Sequence, residues 1–287
     1  MKLFELPVIR VKRVMTEEEA TELVGTTVMD LEPNCRTAAL FIDDETEEPI
    51  LAYMPMEDEV NLLRRSVLGI KYGTTKRAST GMENQSRTFG MAPRKVFQRR
   101  ESCRTTTLAN EQPEEHAVLV AFAKKFGEMF KEFAPHLFEA DAATLDKSGI
   151  SNEWKMTDDA LWTSGVVNKA STLPYHRDGF NFATWSAMPV VRRDMRGGYL
   201  HFPEYALTCA CRDGWVLFFP GYKYVHGVTP MEQTAADGYR FSIVYYALRG
   251  MKDCFTFAIE TAKGAENRTK REEKMAEDLK NPANAWE

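Results

Sequence analysis

Two histidines fifty residues apart, each at the end of a β-rich run, constrain this chain more than any other feature. His176-Arg177-Asp178 is followed by His226, and Arg240 comes fourteen residues later. Trp162 to Val167 reads as a half-buried strand just ahead of the first histidine. Ala206 to Cys211 and Trp215 to Phe219 read as two strands joined in a hairpin at Asp213-Gly214. Tyr239 to Leu248, YRFSIVYYAL, is a long β-rich run. A Pro220-Gly221 turn leads from Trp215–Phe219 to His226. Each polar residue of the set therefore falls at or beside a strand end, where a β-barrel presents its mouth.

Two imidazoles and one carboxylate make the facial triad of a non-haem Fe(II) site, which leaves three iron positions for cosubstrate and O2. His176, Asp178 and His226 are the expected metal ligands and hence, with Arg240, the catalytic set. The planar two-pronged guanidinium of Arg240 suits the far carboxylate of 2-oxoglutarate, with Ser242 beside it. H-x-D alone is a weak signal in 287 residues. The second histidine and the Arg-x-Ser at workable spacing give it weight, since ordinary loop histidines would not bring these features with them.

An apolar content of 44% with 28% charged residues is that of a globular domain, and no apolar run approaches the ~18–20 residues needed to span a bilayer. MKLFELPVIRVKRV has no continuous apolar core and no cleavage site, so it is not read as a signal peptide. Five scattered cysteines, an odd number, suggest a reducing, intracellular setting (cytoplasmic or nuclear) and no disulfide framework. Cys209 and Cys211 read as buried core residues. The net charge of −5 hides an asymmetry: Arg64 to Asn110 holds eleven Lys/Arg against two acids. That block suits a polyanion, and its Gly, Ser and Thr allow close approach to phosphates. A solvated basic face without a partner is the plainer reading.

Thr16 and Glu19 form a capping box for a short helix ending near Val24. Thr37 to Ile42 and Pro49 to Met54 read as paired strands around an acidic tip, and Glu57 to Leu68 as a helix. Glu114 to Phe133 carries Val118, Phe122, Phe126, Met129, Phe130 and Phe133 at helical spacing, a core stripe. A charged helix is expected over Arg268 to Leu279. There is no phosphate loop and no dinucleotide fingerprint.

The segment from Trp162 to Leu248 resembles the TET/JBP family of nucleic-acid base dioxygenases. PYHRDGFNF, GGYLHFPEY, DGWVLFFPGYKYVHGVTP and YRFSIVYYALR carry the resemblance, over about 90 residues. It implies an α+β protein with a double-stranded β-helix (jelly-roll, cupin-like) core flanked by supporting helices. Expected divisions of one compact catalytic unit are 1–161, a basic and loop-rich N-terminal part; 162–250, the core; and 251–287, a charged extension. The implied activity is Fe(II)- and 2-oxoglutarate-dependent hydroxylation of the 5-methyl group of 5-methylcytosine or thymine in DNA. The family often places another arginine on the cosubstrate's C1 carboxylate, and Arg87, Arg94 and Arg104 are all candidates. A base must be flipped or single-stranded to reach the iron. Phe180, Phe182 and Trp185 are candidate wall residues, with core packing as the alternative for each. Asn181 can read a base edge or serve a turn. Arg192, Arg193 and Arg196, read as a basic patch in the loop before Gly197-Gly198, can meet phosphates. His201 is expected to be a satisfied strand histidine or to support the site. A 2-oxoglutarate hydroxylase of a small molecule or protein side chain is the competing enzyme reading. A catalytically silent nucleic-acid-binding module is the third.

Overall fold

The computed structural model describes residues 6–56, 59–76, 83–94, 102–158 and 160–280. Four of the basic residues discussed above, Arg77, Lys95, Arg99 and Arg100, lie outside the described residues. In chain order the elements are β1 (Val8–Val11), α1 (Glu17–Glu22), β2 (Ala39–Asp43), β3 (Pro49–Pro55), α2 (Val60–Gly69), β4 (Gly73–Lys76) and β5 (Glu83–Ala92). Next come β6 (Arg104–Thr105), α3 (Leu108–Glu111), α4 (Pro113–Phe133), α5 (Pro135–Ser148), β7 (Ser164–Lys169), β8 (Ser186–Arg193), β9 (Met195–Gly197) and β10 (Leu200–Phe202). The chain ends with β11 (Leu207–Cys209), β12 (Trp215–Phe219), β13 (Gly227–Val228), β14 (Met231–Gln233), β15 (Tyr239–Tyr246) and α6 (Phe257–Lys280).

The large sheet runs β1-β2-β3-β12-β8-β15-β7-β5-β4, with β6 on β5. Only its β1–β2 edge pair is parallel among these described strands. A smaller sheet, β11-β10-β13, lies opposite, and β14 pairs with β9.

Strand alternation assigns the two faces of the large sheet. On β12, Val216 and Phe218 join the helix-side core; Leu217 and Phe219 join Leu200, Phe202 and Cys209 of the small sheet. On β15, Phe241, Ile243 and Tyr245 pack toward α4, where Tyr245 stacks edge-on against Phe126. Arg240, Ser242, Val244 and Tyr246 take the opposite face. Helices α2, α4 and α5 thus support one side of the sheet, and the space between the sheets is left for a site. This is the expected jelly-roll on helices.

Local chemistry explains the element ends. The Thr16 hydroxyl accepts from Glu19 N at 3.2 Å, and the Glu19 carboxylate accepts from Thr16 N at 2.8 Å, completing the capping box. Pro113 and Pro135 start α4 and α5, where a missing N–H costs nothing.

Three expectations are corrected. β11 and β12 are not hairpin partners: β11 pairs with β10, whereas β12 pairs with β3 and β8. The Asp213-Gly214 turn therefore changes layers. Ser186–Arg193 is a central strand, although Pro189 argues against one; the ladder to β15 is interrupted at that proline. Finally, Cys103 and Cys254 form a disulfide across 151 residues, while Cys35, Cys209 and Cys211 stay free and buried. Spacing could not show that pairing, because α6 brings the two ends together. Among the described residues no helix is long and apolar enough to cross a membrane.

Candidate active site

His176, Asp178 and His226 converge between the sheets, with ligand atoms all within 4.8 Å of one another. The backbone builds this convergence. His176 and His226 form an antiparallel bridge, with His176 N donating to His226 O at 2.9 Å and the reverse bond at 3.0 Å. Asp178 N donates to Gly221 O at 2.9 Å, so the Pro220-Gly221 turn fixes the carboxylate from beneath. A Cβ on Gly221 would overlap the Asp178 carboxylate, so only glycine leaves room for it here.

The donor set fits a divalent metal. His176 Nδ1 lies 2.8 Å from Pro174 O, and His226 Nδ1 lies 2.9 Å from Tyr224 O. A carbonyl only accepts, so each ring carries its proton on Nδ1 and keeps the Nε2 lone pair for a ligand bond. Burial, reinforced by His176, pushes the His226 imidazole down to about 4 despite Asp178. It is neutral at ordinary pH, as a metal ligand must be.

Behind the triad lies a cavity of about 620 Å³. Leu173, Met188, Leu200, Phe219, Val228 and Val244 give it an apolar lining, with Thr88, Asn168 and Ser242 as polar points. Arg240 occupies the same strand face as Ser242 and Val244. It is 0% exposed and is not itself one of the residues that line the cavity; none of its three side-chain nitrogens has a hydrogen-bond partner among the described residues, and the Cys211 thiol is close enough to interact with it. Burial pushes the guanidinium down from its ordinary value, and the nearby Cys211 offsets only part of that. Gly198, at φ +69°, lies against it: a Cβ there would come within 2.7 Å of Arg240 Cδ. An unpaired buried cation costs several kcal/mol, and an anion beside Arg240 would offset that cost.

The sequence matches the family Tet_JBP, described as the oxygenase domain of the 2OGFeDO superfamily, over residues 93–249. The chain belongs to this family. It is a 2-oxoglutarate- and Fe(II)-dependent dioxygenase, and the His-Asp-His cluster is where such a domain can hold iron. No curated protein matches the TET/JBP chain. Among solved structures it is similar to NgTET1 in complex with 5mC DNA, with a TM-score of 0.55 and 16% identity over 79% of this chain and 83% of that one. An oxygenase of the 2OG-Fe(II) family from Burkholderia pseudomallei matches at TM-score 0.44 and 15% identity, over 69% of this chain and 85% of that one.

In this TET/JBP chain the three candidate arginines separate cleanly. Arg94 lines the cavity. Arg87 does not: it pairs with Glu111 of α3 on the helix side of β5. Arg104 is exposed on β6 and lines a separate groove against α6. The remaining candidates divide among core, cavity and surface. Trp185 is buried against Phe130 and donates its backbone N–H to Asp141, and Phe182 packs on the same core. Phe180, 79% exposed, and Asn181 do line the cavity. Arg192 lies outside the cavity lining and donates to the carbonyls of Ala210, Cys211, Met195 and Gly197. Arg193 pairs with Asp237, and Arg196 with Asp30 at 3.6 Å. Arg64, from the basic block, pairs with Asp213. His201 is buried on β10, its Nδ1 2.9 Å from the Thr208 hydroxyl. Sequence reasoning missed Arg249, which lines the cavity and donates to Gly179 O.

Proposed function

We propose that this enzyme hydroxylates the 5-methyl group of a pyrimidine, 5-methylcytosine or thymine, in DNA. The observation that carries the cosubstrate assignment is Arg240: a buried guanidinium without a hydrogen-bond partner among the described residues, on the same strand face as Ser242 and Val244, which line the cavity. In this reading His176, Asp178 and His226 hold iron, and Arg240 takes the C5 carboxylate of 2-oxoglutarate with Ser242 assisting. Arg94 takes the C1 carboxylate, as the one candidate of three that lines the cavity.

Iron with 2-oxoglutarate and O2 supplies the oxidant that replaces a methyl hydrogen by hydroxyl, while 2-oxoglutarate becomes succinate and CO2. The protein orients and excludes water. The carbonyls of Pro174 and Tyr224 keep the imidazoles in one tautomer. The apolar wall of Leu173, Met188 and Val244 keeps the reaction space dry and accepts a methyl group without penalty.

The substrate class rests on family membership and on the rim. NgTET1, similar in fold, has been solved with 5mC DNA. Here Phe180 stands exposed at the cavity edge, where a flat ring can stack on an extruded base or on the base left behind. Asn181, held by its backbone bond to Asp178 O, can offer its amide to a base edge. Nucleoside mass spectrometry tests the reading on DNA containing thymine, with or without 5-methylcytosine, beside an Asp178→Ala control. A new nucleoside one oxygen heavier, absent from the control, is the expected result. Succinate without a new nucleoside would turn the assignment to a small-molecule or protein substrate.

A further inference from the structure

We propose that Glu260 of α6 is a positioning residue that presents Arg94 to the cosubstrate. This rests on the 2-oxoglutarate reading above. Helix α6 lies beyond residue 249, where the family match stops, so Glu260 comes from outside the matched domain.

Glu260 is 1% exposed, and four donors converge on it. Arg94 donates from Nε at 3.3 Å and from Nη2. Cys103 N donates at 2.8 Å and Phe255 N at 2.9 Å. The two backbone donors flank the Cys103–Cys254 disulfide: Cys103 belongs to it, and Phe255 follows Cys254. The Phe255 ring lies under the guanidinium, 4.7 Å from its carbon. Burial pushes the Glu260 carboxyl up, but the Arg94 fork and the two backbone N–H groups outweigh it and hold it below the ordinary range. It is an anion in the folded protein.

The geometry does more than anchor a helix. Arg94 is part of the cavity wall, whereas Glu260 is not. Glu260 engages the Nε and Nη2 side of the guanidinium. That leaves the Nη1 edge as a planar fork of fixed orientation, because the ring below and the carboxylate behind remove its freedom to turn. A fork already oriented loses less entropy when it binds a carboxylate. The pairing also offsets the charge of Arg94.

The test is calorimetric binding of 2-oxoglutarate to the iron-loaded protein without oxygen, which reads affinity and not turnover. Arg94→Lys keeps a cation for Glu260 but lacks the fork, and should weaken binding about tenfold. Glu260→Gln should weaken it by roughly three- to tenfold. The double variant should bind no more weakly than Arg94→Lys, since Glu260 acts through Arg94. Glu260→Asp, which keeps the charge, should recover part of the loss and serves in place of Glu260→Gln if that variant does not fold. Additive losses, or normal affinity in both Glu260 variants with Arg94→Lys impaired, would leave Glu260 a mere helix anchor. Normal affinity in Arg94→Lys would remove Arg94 from the cosubstrate site and the proposal with it. A loss of affinity for a short 5-methylcytosine duplex, with 2-oxoglutarate binding unchanged, would also overturn it. Absence of 2-oxoglutarate binding in the unaltered protein would instead defeat the underlying reading.

Discussion

Two arginines proposed for the cosubstrate, Arg240 and Arg94, solve the problem of a cation near the protein interior in opposite ways. Arg240 projects from the middle of the large sheet, fully buried and without a hydrogen-bond or ion-pair partner among the described residues beyond the nearby Cys211 thiol. Arg94 follows the end of β5 and meets a buried carboxylate, itself held by two backbone N–H groups, and an aromatic ring. The first is a site waiting for an anion from outside. The second is finished by the chain itself. An unpaired buried charge marks where ligand must bind, whereas a paired one marks where the fold holds geometry.

The contrast predicts stability changes of opposite sign. Replacing Arg94 by Met leaves Glu260 buried with its main partner gone, which should destabilise the ligand-free protein by about 3 kcal/mol. Replacing Arg240 by Met removes an uncompensated cation and should leave ligand-free stability unchanged or raised. Its 2-oxoglutarate affinity should fall at least about tenfold, the loss expected for a charge-assisted pair worth ~1.5–3 kcal/mol. Denaturant unfolding and calorimetry on the same two proteins check both halves. A stability loss in Arg240→Met as large as in Arg94→Met would end the comparison.

Gly198 sharpens it at the Arg240 end. Its φ of +69° and its contact with Arg240 both resist a Cβ. Gly198→Ala should lower stability by about 1–3 kcal/mol through backbone strain and weaken 2-oxoglutarate binding by displacing the guanidinium. Loss of stability with cosubstrate affinity intact would show that Arg240 is held by the strand alone.

What the sequence made legible follows the same division. The triad, Arg240 and Ser242 lie on short segments where an ordinary turn or strand parity fixes the direction of each side chain. The convergence of the triad could be read from H-x-D and Pro220-Gly221, and the shared face of Arg240 and Ser242 from the alternation of YRFSIVYY. Arg94 could not be separated from Arg87 and Arg104, because its setting depends on Glu260, 166 residues away. The layer change between β11 and β12 was hidden because a turn signal states that the chain bends, not which sheet receives it. Arg192 read as a free cation in a loop because Pro189 masks a central strand whose end holds its guanidinium against four carbonyls. Trp185 could be read as core or as wall, and its packing against Phe130 of α4 makes it core.

Asp141 completes the comparison as a buried ionisable group with no ion-pair partner among the described residues, which keeps its proton through the mildly acidic range. It sits on α5, nearly sealed, and accepts from Trp185 N at 2.7 Å. Burial pushes its carboxyl up to about 7, and that one backbone bond only partly offsets the shift. In the unfolded chain an aspartate titrates near 4. Between about pH 4 and pH 7 the folded state therefore holds more protons than the unfolded state, and stability falls as pH rises through that window. An asparagine in its place would keep an acceptor for Trp185 N and carry no charge to bury. Asp141→Asn should thus flatten the pH dependence and raise stability at pH 8 by roughly 1–2 kcal/mol, the gain being limited by loss of the charge-assisted bond. Thermal melts of both proteins from pH 5 to pH 8 measure it. Parallel curves would mean that Asp141 is ionised in the folded protein and that a cation or water reaches it.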